Sequence, residues 1–408
     1  MTTESSSAVI RLGSSLRTRR AEETFSAIRP HLASVGISRV TDTTRMDRLG
    51  LPVFASIRPR GKVLRVHAGK GTELIDAKVG AAMEAIEYAL AEPEATEWSP
   101  VCTSVGELLK SLPLRFIDFA PRLGVNVSES DMIHGVTCED LSAGHTSVIP
   151  AQLVFMPYLP AGCKNFFGGT TNGLASGNSV PEATVHAIFE VLERDVVSMN
   201  KVQDRSLLID PRTLPDIFRQ YSDQWKSLGV SLAVRYIGNT YQLPCFQAFL
   251  TEEESNTVNL STGQGLHSDA EIALSRAICE AAQSRLSHIH GGRDDITHFY
   301  SKYARWDKSD RARVESEVKR RAFDAAGMLS FHEVLAPAQY RDETMSEIIA
   351  RLVHIVHRNN LGPIYRYTFD HDIPSISVVK VVVPRAEHIE HNLKRMGPRV
   401  FAAVTARA

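Results

Sequence analysis

The 408 residues include only five cysteines, Cys102, Cys138, Cys163, Cys245 and Cys279, far apart and with no C-x-x-C pair. That scarcity argues against a disulfide-stapled secreted scaffold, a thiolate zinc site and a redox dithiol, and reduced thiols are expected. No stretch approaches the roughly 18 continuous apolar residues of a membrane span, so no membrane partner is expected. Met1 to Arg20 lacks the apolar core of a secretory signal, and a cytoplasmic protein is expected. Neither sign of charge is in excess: 46 Lys and Arg face 47 Asp and Glu. A general attraction to nucleic acid or to an anionic membrane is thereby excluded, and any anion must be bound locally.

Familiar catalytic signatures are missing as well. No G-x-G-x-x-G precedes a helix, and there is no G-x-S-x-G elbow and no H-E-x-x-H pair. Gly69-Lys70-Gly71-Thr72 contains a Gly-Lys step, but Leu64 stands where a phosphate-binding P-loop needs its first glycine. The fifteen histidines are scattered; His288/His290, His354/His357 and His388/His391 read as helix-face or strand residues and are assigned no metal.

What is present is an ordinary globular balance, 43% hydrophobic and 23% charged. The pattern predicts a mixed α/β (α+β) body of intertwined subdomains without a long linker, preceded by a polar arm over residues 1–30, with folding starting near Phe25. Strands are expected at Val53–Ile57 and Lys62–Val66, flanking the Arg58-Pro59-Arg60-Gly61 turn, and a helix over Leu74–Leu90. A Gly/Asn-rich loop, Gly168–Asn178, leads into a helix from about Pro181 to Asn200. Further helices are predicted over Leu214–Ser227, Asp269–His288, Ile296–Tyr303, Ser309–Ala325 and Thr344–His357. Further strands are predicted over Ser231–Ile237, Cys245–Thr251, Ile364–Thr368 and Ser375–Val383.

Three of these helices carry acidic turns among residues that favour burial. Glu84 and Glu87 lie three residues apart, hence on one helical face, and Glu190 and Glu193 repeat the spacing before Arg194 and Asp195. In the third, Arg276, Glu280 and Gln283 form a polar stripe among Ala277, Ile278, Cys279, Ala281 and Ala282. A single such pair is usually a solvated face, but buried carboxylates without partners are costly. Convergence of the five glutamates would require cations, and hard, oxygen-seeking Mg²⁺ commonly joins carboxylates to nucleotide phosphates. With about four charges from ATP the site would hold about nine negative charges, more than Arg194, Arg276 and Arg285 balance.

In order and spacing, these segments resemble the YcaO family of ATP-dependent enzymes over roughly Arg39 to Asp295. The resemblance is carried by Thr41-Asp42-Thr43-Thr44, Asp47 to Val53, Gly69-Lys70-Gly71, Met83 to Glu87, Asn172 to Asn178, Glu190 to Asp195, Ala277 to Arg285 and Gly292 to Asp295. It implies a YcaO-like catalytic domain over residues 31–400 around a central ATP/Mg cavity, in which ATP and Mg²⁺ activate a peptide-backbone amide by phosphorylating its oxygen. The implied metal ligands are Glu84, Glu87, Glu190, Glu193 and Glu280, and the implied nucleotide contacts are Arg194, Gln283, Arg285, Asn178 and Arg293. The implied substrate is a ribosomally synthesised precursor peptide or protein. A thioamide is the favoured product, with azoline-forming cyclodehydration or a non-catalytic ATP-binding accessory role as alternatives. A separate TfuA-like or E1-like partner is expected, Asp42 to Gly71 being nearest to the TfuA-associated branch, and a homodimer is left open. Two departures stand out: Gly80 where many relatives carry Ser, and Tyr88 where many carry Arg. The ending, Ala402 to Ala408, lacks the Pro-rich tail common among azoline-forming relatives. No general base is identified.

Overall fold

The computed structural model describes residues 9–252, 260–296, 305–334, 344–389 and 394–406. Strands β1 (Ile10–Leu12) and β2 (Ser15–Arg17) form a hairpin, and α1 (Ala21–Ile28) follows. Much of the expected polar arm is therefore regular structure. The sequence hides this because the hairpin is fastened by polar contacts: Arg11 binds Asp269 and Glu271, and Arg17 and Thr18 bind Glu182. Leu16 alone in the hairpin is buried in a larger apolar cluster.

Strands β3 (Arg39–Asp42), β4 (Val53–Ile57) and β5 (Val66–Lys70) form an antiparallel sheet on which α2 (Leu74–Leu90) lies. Of the strand expected at Lys62–Val66, residues 62–65 form a loop and only Val66 enters β5. Arg58 grips the buried Glu92 carboxylate through both terminal nitrogens, and the Lys62 amide donates to the same group, so the chain wraps around it before β5 begins.

Next come β6 (Val101–Ser104), α3 (Val105–Lys110), β7 (Met132–Asp140), β8 (His145–Pro150), β9 (Leu174–Gly177) and α4 (Val180–Val202). A second antiparallel sheet, β10 (Ser206–Leu208), β11 (Val230–Ile237), β12 (Cys245–Glu252) and β13 (Leu260–Leu266), is interrupted by α5 (Asp216–Ser227) and followed by α6 (Ala270–His290). Beyond it lie α7 (Lys308–Ala322), α8 (Met345–Arg358), β14 (Tyr365–Phe369), β15 (Ser377–Val382) and α9 (Pro398–Thr405). β14 and β15 complete a six-stranded sheet in the order β6-β7-β14-β15-β9, with β8 also paired to β7. Most of the helix expected over Ile296–Tyr303 falls outside the described residues, as does His391.

Each acidic helix rests on a different sheet: α2 on β4 and β5, α4 on β9 and β15, α6 on β12 and β13. Alanines make the approach close. The buried face of α2 includes Ala77, Ala81, Ala85 and Ala89, and that of α6 includes Ala273, Ala277 and Ala281. The strands answer with glycine. A Cβ on Gly69 would fall 2.0 Å from the Ala77 carbonyl oxygen, and one on Gly263 would fall 2.2 Å from that of Ala277. The glycines and small polar residues of β13 carry no alternating apolar pattern that marks a strand, yet they serve as a track for α6. Ile86, wholly buried on α2, contributes about 1.5–3 kcal/mol relative to exposure. Among the described residues no helix is long and apolar enough to cross a membrane.

Candidate nucleotide and metal site

The polar faces of α2, α4 and α6 meet around a cavity of about 560 Å³. Glu84 and Glu87 enter it from α2, Glu190, Glu193 and Arg194 from α4, and Glu280 and Gln283 from α6. Asn178 and Arg293 line it as well. Nine of the ten residues singled out in the sequence therefore share one space. Arg285 does not line it: buried behind α6, its guanidinium binds Asp47 at 3.0 Å and Glu252 at 2.9 Å.

Local chemistry aims these side chains. Ser179 caps α4, with Pro181 in the first turn, and Asp269 caps α6 by accepting from the Glu271 and Ile272 amides. Glu84 accepts from the Ala68 amide at 3.2 Å, a contact that the close fit of Gly69 to α2 permits. Glu87 accepts from the amide and hydroxyl of Ser176 at 2.8 and 2.5 Å. Glu193 accepts from the Leu266 amide at 3.0 Å, with Arg276 3.9 Å away. Arg194 donates to Gln264 at 3.1 Å, and Gln283 donates to the Ala68 carbonyl. Asn178 donates to Glu182 and accepts from Thr24.

The electrostatics show what this arrangement costs. Burial raises the Glu84 and Glu190 carboxyls above the usual range, although Arg293 and Lys70 oppose the shift at Glu84 and Arg194 opposes it at Glu190. Glu87 is pushed up to about 8 by burial and by repulsion from Glu84 and Glu190, despite its bonds to Ser176. Burial would raise Glu280 too, but Lys70 holds it below the usual range from 2.7 Å. At Arg293 burial disfavours the charge, and Asp295 and Glu84 outweigh it. Tyr88, one of the two departures, lines the cavity with its phenol held protonated by burial and by Glu84.

Among the described residues no three His, Cys, Asp or Glu side chains stand together as a ready-made ion cage. The donors nevertheless suit Mg²⁺. They are carboxylate oxygens, the ligands a hard cation takes, and three of the five are destabilised as anions, which bound cations would relieve. The wall also carries Arg17, Arg19, Lys70, Arg194, Arg276 and Arg293, and the Arg276 Nε is buried without a hydrogen-bond partner among the described residues. A polyanion bridged by divalent cations fits such a mixed lining.

Sequence reasoning gave no role to Lys70, Arg17 or His186. Lys70 had a signal, the Gly69-Lys70-Gly71 segment; Arg17 had none, because its stretch reads as a polar arm.

Three comparisons bear on this geometry. The family model described as YcaO cyclodehydratase, ATP- and Mg²⁺-binding, matches residues 68–387. An uncharacterised protein of Methanothermobacter thermautotrophicus is 28% identical over 404 residues, covering 94% of this chain and 98% of the relative. One from Rhizobium leguminosarum bv. trifolii, named for the tfuA 3′ region, is 29% identical over 381 residues, covering 90% and 87%. In fold the chain is similar to YcaO from Methanopyrus kandleri, solved with AMPPCP and Mg²⁺: the TM-score is 0.76 at 22% identity, over 96% of this chain and 98% of the other.

Proposed function

This chain belongs to the YcaO family, and on that premise we propose that it activates a backbone amide of a ribosomally synthesised peptide or protein, forming a thioamide. ATP and Mg²⁺ are the cofactors of the family. The observation that carries the proposal is the meeting of five glutamates from three helices, each on its own sheet, in one cavity.

In this reading Glu84, Glu87, Glu190, Glu193 and Glu280 hold the metal, while Arg194, Gln283, Asn178 and Arg293 contact the nucleotide. Arg285 is assigned to the scaffold, because its guanidinium is engaged by Asp47 and Glu252. ATP with Mg²⁺ supplies phosphorylation of the amide oxygen, which turns a poor leaving group into phosphate. The chain's own part is to orient and to neutralise. Backbone amides of Ala68 and Leu266 and the Ser176 hydroxyl fix three carboxylates before any ligand arrives, so little reorganisation is left for the reacting complex.

The relative named for the tfuA 3′ region supports a TfuA-like partner that helps present the substrate. The cyclodehydratase description of the family supports azoline closure as the second reading.

The test supplies Mg-ATP, sodium hydrosulfide and a degenerate synthetic peptide library to the purified chain, with and without a TfuA-like protein. Orthophosphate is followed together with peptide mass. Oxygen-for-sulfur exchange is expected; loss of one water instead favours azoline closure, and nucleotide binding without turnover favours an accessory role.

A further inference from the structure

Attack on an amide carbonyl leaves a proton to be removed, and the five glutamates are committed to cations in the reading above. Helix α4 offers another group. Glu182, His186, Glu190 and Glu193 follow one another at steps of four, four and three, so they share a helical face, and all four line the cavity. Glu182 is engaged by the N-terminal hairpin: it accepts from the Thr18 amide and hydroxyl and pairs with Arg17. No hydrogen bond from a described residue engages the His186 ring.

Resting on the amide-activation reading, we propose that His186 is the proton acceptor for the attacking nucleophile, placed on the α4 face between the hairpin anchor and the metal-holding glutamates. Burial, with Arg276 and Arg17 nearby, holds its imidazole well below the ordinary histidine range, so it is neutral near pH 7 and has a lone pair to give. That shift by itself weakens the base; the phosphates of bound nucleotide, facing Arg276 and Arg17 in the same cavity, would oppose those cations and bring the imidazole back toward the working pH. Of the other groups, His288 lines the cavity but interacts with a neighbour, and Asp295 is paired with Arg293. His267 accepts from the Asp269 amide, His67 is fully buried, and Lys70 is paired with Glu280. Tyr88 is held protonated.

Hydrosulfide bonds the carbonyl carbon through a lone pair on sulfur as the carbonyl π pair moves to oxygen, which takes the γ-phosphoryl group. The S–H bond of the adduct then breaks, its proton goes to His186, and its electrons form the C=S bond as the C–O bond breaks and phosphate departs with that pair.

Two measurements test the role. In the first, the intact protein saturated with Mg-AMPPCP is treated with diethyl pyrocarbonate, and modified histidines are mapped by mass spectrometry. His186 is expected to react, since a proton acceptor must stay open on the substrate side while nucleotide is bound; protection of His186 would overturn the assignment. In the second, H186N is expected to bind Mg-AMPPCP within about twofold of the unaltered chain, while orthophosphate release with the peptide library and hydrosulfide falls about 100-fold or more. Turnover by H186N within about threefold of the unaltered chain would overturn the role, and so would loss of nucleotide binding. Failure of the unaltered chain to bind Mg-AMPPCP would be a different result, removing the ATP reading and this inference with it.

Discussion

The Lys70 ammonium stands 2.7 Å from the Glu280 carboxylate, joining the end of β5 to the middle of α6 inside the cavity. Without a bound cation, the lysine supplies the positive charge that Glu280 needs.

Removing that charge should affect the two ligands in opposite directions. K70M is expected to bind AMPPCP about tenfold more weakly, a change of about 1.4 kcal/mol, because a cation of the cavity wall is lost. Mg²⁺ alone should bind more tightly, because Glu280 is left without its nearest partner. Calorimetry with each ligand separately checks the pair of shifts, and equal movement in both would contradict the proposed division of roles.

Glu182 should make attachment of the hairpin depend on pH. Burial would raise its carboxyl, but Arg17 and the hydrogen bonds from Thr18 and Asn178 hold it below the usual range. A group depressed in the folded state stabilises above its unfolded value, about 4.3, and that contribution is lost as pH falls through the lower folded value. Hydrogen exchange over residues 10–18, relative to its intrinsic rate at each pH, should therefore accelerate in acid. E182Q should show the acceleration already at neutral pH, at a cost of about 1–3 kcal/mol.

Arg285 distinguishes scaffold from site. R285A removes one partner of a buried charge cluster with Asp47 and Glu252, and a stability loss of about 3–5 kcal/mol is expected in urea denaturation. At temperatures where the variant remains folded, its affinity for Mg-AMPPCP should stay near that of the unaltered chain, whereas R194A should lose affinity. A collapse of nucleotide binding in folded R285A would return Arg285 to the contact set.

The glycine track can be tested against an internal control. G263A brings a methyl group within 2.2 Å of the α6 backbone, so the helix must move, at about 1–3 kcal/mol or more. Such a shift should carry Glu280 and Gln283 with it and weaken Mg-AMPPCP binding. At Gly238 an added Cβ meets nothing within 4 Å, and G238A should leave both stability and binding unchanged.

The helices that bear the site were readable because amphipathic spacing is a local property. Leu74–Leu90 runs as its composition predicts, and Glu84 with Glu87 follows from three-residue spacing alone. The hairpin over Ile10–Arg17 and the strand Leu260–Leu266 were not readable. Their stability comes from partners elsewhere in the chain: Glu182 and Asp269 for the hairpin, pairing with β12 and close packing on α6 for the strand. Arg285 shows the limit from the other side. It shares a helix with Glu280, yet its position on the turn points it to Asp47 and away from the cavity.

By itself the sequence determined the three acidic helices, which of their faces are acidic, and, through order and spacing, the family. Those properties depend on neighbours within a few residues. Tertiary structure alone decided that three helices on three sheets turn those faces toward one another, that Lys70 stands beside Glu280, and that His186 looks into the same space. Such meetings depend on backbone approach between segments up to 210 residues apart, which no local pattern of side chains encodes.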